Sequence, residues 1–147
     1  MITLVPIVLA QVALMAGGPV SVSCSASLPG EEAGYADWQA RAIVVDNYVC
    51  RNALSFARRP VLSDSTEVWS DLTTSRAFSL LILAHEADHI KNPQHSEAQA
   101  NCAGLRDVPR FARALGATRK ASIRVRNLAR SWIRDEEPAP YQSACTR

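Results

Sequence analysis

The reading turns on Ala77-Phe78-Ser79-Leu80-Leu81-Ile82-Leu83-Ala84-His85-Glu86-Ala87-Asp88-His89-Ile90. From Ala77 to Ala84 the run is apolar nearly all round, and a helix without a polar face is one buried on every side. Thr73-Thr74-Ser75 offers candidates for its N-cap. Asn92-Pro93 ends it, because proline supplies no amide hydrogen and clashes with the preceding turn. The titratable residues therefore cluster at the C-terminal end of a central helix, where core gives way to a solvent cleft.

Working outward, Val20, Val22 and Cys24 alternate with serines, the pattern of a short strand. Ser27-Leu28-Pro29-Gly30-Glu31-Glu32 is turn-rich and reads as a link to a domain starting near Tyr35. Arg41-Ala42-Ile43-Val44-Val45 is β-branched enough for a strand, and Asp46 can cap a helix from about Asn47 to Arg59, ended by Pro60. Beyond the central helix, Ser96–Leu105 and Pro109–Leu115 read as two further helices, the second stopped by Gly116. A last helix, about Thr118–Arg134, sets Ala121, Val125, Leu128 and Trp132 at helical spacing on its buried face. The Pro-rich tail after Glu136 is expected to be ordered only if Cys145 tethers it. These elements make an α+β domain, mostly helical, with a minimal sheet around one buried helix.

At 147 residues the chain suits one apolar core, and 48% apolar with 20% charged residues is ordinary globular composition. Residues 2–16 carry no charge and run into Gly17-Gly18-Pro19. Residues 1–20 therefore read as a signal peptide or membrane anchor, with a buried core helix as the competing reading. Residues 21–34 would be a linker with a short strand, and residues 35–147 the functional domain. Four cysteines, none in a CxxC spacing, suggest two disulfides in an exported chain. Of the three possible connectivities, Cys50–Cys102 with Cys24–Cys145 is the one expected. A domain outside the cytoplasm, secreted or membrane-anchored, follows. From Arg106 to Arg134 nine Lys or Arg face one acid, Asp107, but they flank an apolar stripe as a solvated face does. With a net charge of only +2, nucleic acid is a disfavoured partner.

His85 and His89 lie four residues apart on a helix, so both imidazoles share one face and can share one metal ion. Glu86 projects about 100° round the helix from His85, where it can take a proton from an attacking water. A catalytic zinc needs three protein ligands and an open fourth position. Glu97 and His95 compete for the third. In Glu97-Ala98-Gln99-Ala100-Asn101, Glu97 begins the following helix and Asn101, one turn later, can support a histidine.

With HExxH before it, this ExxAN helix resembles the gluzincin peptidases, most closely the compact group that includes regulatory peptidases of the ImmA/IrrE kind. The likeness covers residues 77 to 105. It implies a zincin-like fold, Zn2+ as cofactor, His85, His89 and Glu97 as ligands, and Glu86 as general base. His95 stands where the metzincin signature has its third histidine, with Asn92 at the usual glycine. Against that spacing, the only methionines are Met1 and Met15, so no downstream Met-turn can exist.

Asp88 departs from the uncharged inner positions usual in HExxH; it orients a ligand histidine, pairs with an Arg, or marks a weakened site. Tyr35, Tyr48 and Tyr141 are equal candidates to offer a phenol to the reaction. The expected function is zinc-dependent hydrolysis of peptide bonds in a peptide or protein substrate. A short scaffold leaves little material for pockets, so specificity is expected to be broad or supplied by a partner. The alternatives are a non-catalytic, disulfide-stapled exported module on the same fold, and a cytoplasmic regulator with four reduced cysteines whose basic helix binds nucleic acid.

Overall fold

The computed structural model describes residues 2–29, 32–58, 71–142 and 145. Its centre is the apolar run quoted above. Helix α3, Asp71–Lys91, is buried without interruption from Ser79 to Asp88. Every other α-helix among the described residues packs on it: α1 (Pro6–Met15), α2 (Asn47–Arg58), α4 (Glu97–Ala114) and α5 (Arg119–Glu136).

A three-stranded sheet covers another side, in the order β1 (Ser21–Ser25), β3 (Ala42–Asp46), β2 (Gly34–Asp37). β1 runs parallel to β3, with Ser21 opposite Ala42, and β2 runs antiparallel, with Gly34 opposite Val45. β3 alternates as a half-buried strand should, Ile43 and Val45 pointing into the core. β1 is the short strand expected in the linker of residues 21–34, and β2 begins at the last residue of that stretch. Arg41 leads into β3 with φ 48°, a left-handed conformation unusual for a residue with a Cβ. It is held there by its guanidinium, which donates to the Pro19 and Ala16 carbonyls at 2.8 and 3.1 Å.

Those carbonyls follow α1. Leu4, Val8, Val12, Met15 and Ala16 are buried, so the inner face of this apolar segment belongs to the domain core. No helix among the described residues is long and apolar enough to cross a membrane.

Asp46 caps α2 as expected, accepting from the Tyr48 amide at 2.6 Å. Pro60, the expected end of that helix, lies outside the described residues. The two helices expected from Ser96 to Leu115 are one, α4, with Pro109 inside it. A proline in a helix costs about 3 kcal/mol. Val108, Phe111, Ala112 and Leu115 are all buried and continue the stripe of Ala100, Gly104 and Leu105 without a change of phase. Burying each large apolar side chain contributes about 1.5–3 kcal/mol, so the stripe outweighs the proline. In α5, capped by Thr118, the buried face is Ala121, Val125, Ala129 and Ile133, turned from the expected one. Leu128 and Trp132 are only half-buried, and the Trp132 ring lies 4.1 Å from that of Phe78.

The disulfides are Cys24–Cys50 and Cys102–Cys145, correcting the expected pairing. The sheet explains the first: β1 lies beside β3, which runs straight into α2, bringing Cys24 and Cys50 to a Cα separation of 6.2 Å. The second follows from the tail after α5 folding back over α4, where Asn101 Nδ2 donates to the Tyr141 carbonyl at 3.0 Å. No cysteine is free, and paired cysteines belong to an oxidising compartment.

Candidate metal centre

One turn of α3 separates His85 from His89, so their rings share one face, meeting edge to face with Nε2 atoms 3.2 Å apart. A tight loop then reverses the chain into α4, whose first residue is Glu97. Ser96 and Gln99 form a capping box there, at 3.3 and 2.8 Å, which fixes the orientation of the first turn. Glu97 is thereby aimed back at α3, its Oε2 lying 2.9 Å from His85 Nε2 and its Oε1 3.5 Å from His89 Nε2. One ligand atom from each of the three residues lies within 4.8 Å of the others. Such a group can hold a metal ion.

Asn101 is one turn beyond Glu97, and its Oδ1 accepts from His85 Nδ1 at 2.8 Å. That bond leaves His85 Nε2 free to face Glu97, as the sequence spacing anticipates. The close approach of the helices depends on Gly104. A Cβ there would stand 3.0 Å from Leu81 Cδ1 and 3.4 Å from the His85 amide nitrogen.

His95 does not join the group. Its Nδ1 lies 2.6 Å from Asp88 Oδ2, while Asn92 Nδ2 donates to Asp88 Oδ1 at 2.8 Å. The buried Asp88 carboxylate thus ties down the loop between α3 and α4, a role that spacing alone does not reveal. The apparent third histidine of the signature is a prop for the loop that delivers Glu97.

Glu86 is 6% exposed and faces the same cleft. Gly34 of β2 passes directly over it: a Cβ on Gly34 would meet Glu86 Cγ at 3.2 Å and Oε1 at 3.3 Å. Burial pushes the Glu86 carboxyl up to about 7, aided by the charges of Glu97 and Glu32, with His85 pulling the other way. Burial works to lower the His85 pKa, but the hydrogen bond to Glu97 and the charges of Glu86 and Glu97 outweigh it, and the net shift is upward. His89 is lowered, by burial and then by repulsion from His85. The His85 hydrogen bond holds Glu97 below the usual carboxylate range.

The cleft over these residues has a volume of about 700 Å³. β2 and the following turn supply Gly34, Tyr35 and Trp38 to its wall, and α5 with the tail supplies Trp132, Glu137 and Tyr141. Two of the three candidate tyrosines, Tyr35 and Tyr141, therefore line it. Tyr48 is placed elsewhere, its hydroxyl bonded to that of Ser75. Sequence reasoning missed Gly34, the Asp88–His95 pair and the aromatic walls, which only tertiary folding brings together.

Comparison of the chain with protein-family models, with curated proteins and with solved structures finds no match.

Fit to a metal is therefore judged on the donor set. Tetrahedral zinc with bonds of about 2.0–2.1 Å sets its ligand atoms about 3.3 Å apart. The closest contacts here, 2.9, 3.2 and 3.5 Å, bracket that value. The 2.9 and 3.5 Å contacts are made by the two different oxygens of Glu97, whose side chain is 44% exposed. Two neutral imidazoles and a carboxylate suit zinc, and the open side of the group faces the cleft.

Proposed function

We propose that the chain is a zinc-dependent metallopeptidase, with His85, His89 and Glu97 as ligands and Glu86 as general base. The observation that carries the reading is the convergence of the three ligand atoms in a 700 Å³ cleft that also receives a buried carboxylate with no hydrogen-bond partner among the described residues. A zinc ion held there would polarise a carbonyl and acidify a water. Glu86 takes the proton of the attacking water on its carboxylate and returns it to the departing amine. Asn101 holds His85 by Nδ1 so that Nε2 stays on the cleft side. Gly34, by having no side chain, lets β2 pass close over Glu86 without displacing it.

A peptide is the favoured substrate because β2 is an edge strand beside the site. Its outer backbone groups can pair with an extended chain, and its neighbours can hold alternate side chains. We further place the domain outside the cytoplasm, a reading supported by the two disulfides.

The test compares the purified chain with Glu86→Gln for bound zinc and for cleavage of a mixed peptide library read by mass spectrometry. The expected result is about one zinc per chain in both and cleavage only by the native chain. Stoichiometric zinc with no cleavage of any peptide points to the non-catalytic module, and a folded chain that refuses zinc removes the reading altogether.

A further inference from the structure

The cleft carries far more negative charge than its proposed chemistry uses. Glu86 and Glu97 are accounted for, but Glu32, Glu136 and Glu137 line it as well, and no Lys or Arg does among the described residues. The chain as a whole has a net charge of +2, so this is a local concentration of carboxylates. The Tyr141 phenol registers the shared field: burial first, then the charges of Glu97, Glu137, Glu32 and Glu86, hold it above its usual range.

The carboxylates alternate with aromatic faces. On the β2 side Glu32 precedes Tyr35 and Trp38, which are 42% and 52% exposed although both line a cleft. On the α5 side Glu136 and Glu137 lie beside Trp132 and Tyr141. A carboxylate next to an exposed aromatic face matches a guanidinium or ammonium on a flexible stem, which pairs with one and lies over the other. Between the two sides, Glu86 is a buried polar side chain aimed into the cleft without a partner among the described residues.

We propose that this cleft selects cationic peptides, taking Lys or Arg side chains on both the Glu32 and the Glu136–Glu137 sides of the metal group. The proposal rests on the peptidase reading for the cleavage step but not for binding. A rim of carboxylates free of Lys and Arg focuses its field and raises the local concentration of an oppositely charged ligand. Each exposed carboxylate–cation contact multiplies affinity by up to a few-fold, so three together favour a cationic over an anionic peptide by about tenfold at low salt.

Two dye-labelled nonapeptides serve as probes, sharing one apolar core and flanked by Lys-Arg or by Glu-Glu. Binding to the full-length chain, stripped of metal, is read by fluorescence anisotropy, and cleavage by the zinc-equilibrated chain is read by mass spectrometry. The expected result is about tenfold tighter binding of the cationic probe, a gap that closes in ~0.5 M salt as screening shortens the field. The double variant Glu32→Gln with Glu136→Gln changes only exposed side chains, and it should narrow the gap to about twofold while leaving circular dichroism unchanged. Equal binding of the two probes, or a preference indifferent to that double variant, overturns the proposal even if both peptides are cleaved. Selective binding without cleavage of either probe upholds it and removes the peptidase reading instead.

Discussion

Replacing Asn101 by alanine separates what the site owes to its supporting bond from what the fold owes to it. Asn101 is 3% exposed and spends both ends of its amide, Oδ1 on His85 Nδ1 at 2.8 Å and Nδ2 on the Tyr141 carbonyl at 3.0 Å. Removing it deprives the buried His85 ring and the part-buried Tyr141 carbonyl of partners, each worth about 0.5–1.5 kcal/mol net, so the metal-free chain should lose about 1–3 kcal/mol of stability. Its effect on metal is separate. With Nδ1 no longer held, the His85 ring is free to turn Nε2 away from Glu97, and loss of such a supporting bond costs a site 10–100-fold in affinity, about 1.4–2.7 kcal/mol. Competition against a chromophoric chelator measures the second quantity, and urea unfolding of the stripped chain the first. Asn101→Asp is the control, because it keeps an acceptor for His85 while giving up the donor to Tyr141. It should lose stability but hold zinc at least as tightly as the native chain. If Asn101→Ala binds zinc within about twofold of the native chain, the placement of His85 by α4 is not what shapes the site.

Four further outcomes follow from the same contacts. His95→Ala should keep its full zinc content while losing about 1–2 kcal/mol of stability, since it removes one of the two partners of the buried Asp88 carboxylate; zinc loss in this variant would restore His95 as a ligand. Gly104→Ala pushes a Cβ to 3.0 Å from Leu81, and overpacking of about 1–3 kcal/mol should appear together with weaker zinc binding; a stable variant with native affinity would show that the helix spacing tolerates it. Cys145→Ser opens the bridge that spans a sequence separation of 43 residues, a chain-entropy loss of about 4 kcal/mol, and should lower the unfolding midpoint far more than a surface serine would. The Glu86 carboxyl is raised to about 7 from 4.5, so the folded chain binds its proton more tightly than the unfolded one. Its contribution is full below about pH 4.5 and is lost as pH rises through about 7. The metal-free native chain should therefore lose on the order of 3 kcal/mol more than Glu86→Gln across that window, whereas parallel urea profiles for the two would contradict the burial of this charge.

Those parts of the fold whose geometry is set by chain-local periodicity were legible. α3 is announced by an apolar run with no polar face, α2 by Val49, Ala53 and Phe56, β1 by alternation, β3 by its β-branched residues, and the end of α4 by Gly116 at φ 105°. β2 was not, because Gly34-Tyr35-Ala36-Asp37 lacks the β-branched residues of a strand and becomes one only by pairing with β3. Pro109 misled for the opposite reason: a strong local breaker yields to an apolar stripe whose burial is settled elsewhere in the fold. The face of α5 was read a fraction of a turn off. Alanines at 121 and 129 let α5 approach the core, which leaves Leu128 at the boundary and Trp132 to the cleft. The disulfides depend on which strands are neighbours, and sheet order is not written in spacing.

The site divides along the same line. Helical spacing translates directly into position, so His85 over His89, and Glu97 one turn before Asn101, needed only the assumption of two helices. What spacing leaves open is how the second helix meets the first, and it is there that His95 and Glu97 were rivals. In the structure Glu97, and not His95, lies against the two histidines, through three features that no motif records. Asp88 takes His95 for the loop, the Ser96–Gln99 box aims the first turn of α4, and Gly104 brings the helices together. Each acts on the distance between α3 and α4 rather than on the ligands themselves. Asp88, which from sequence orients a ligand histidine, pairs with an Arg or marks a weakened site, therefore holds the loop that leads to Glu97. The reach of the Asp88 carboxylate to the loop, 2.6 Å to His95 and 2.8 Å to Asn92, makes the chain's departure from the usual motif a condition of its geometry.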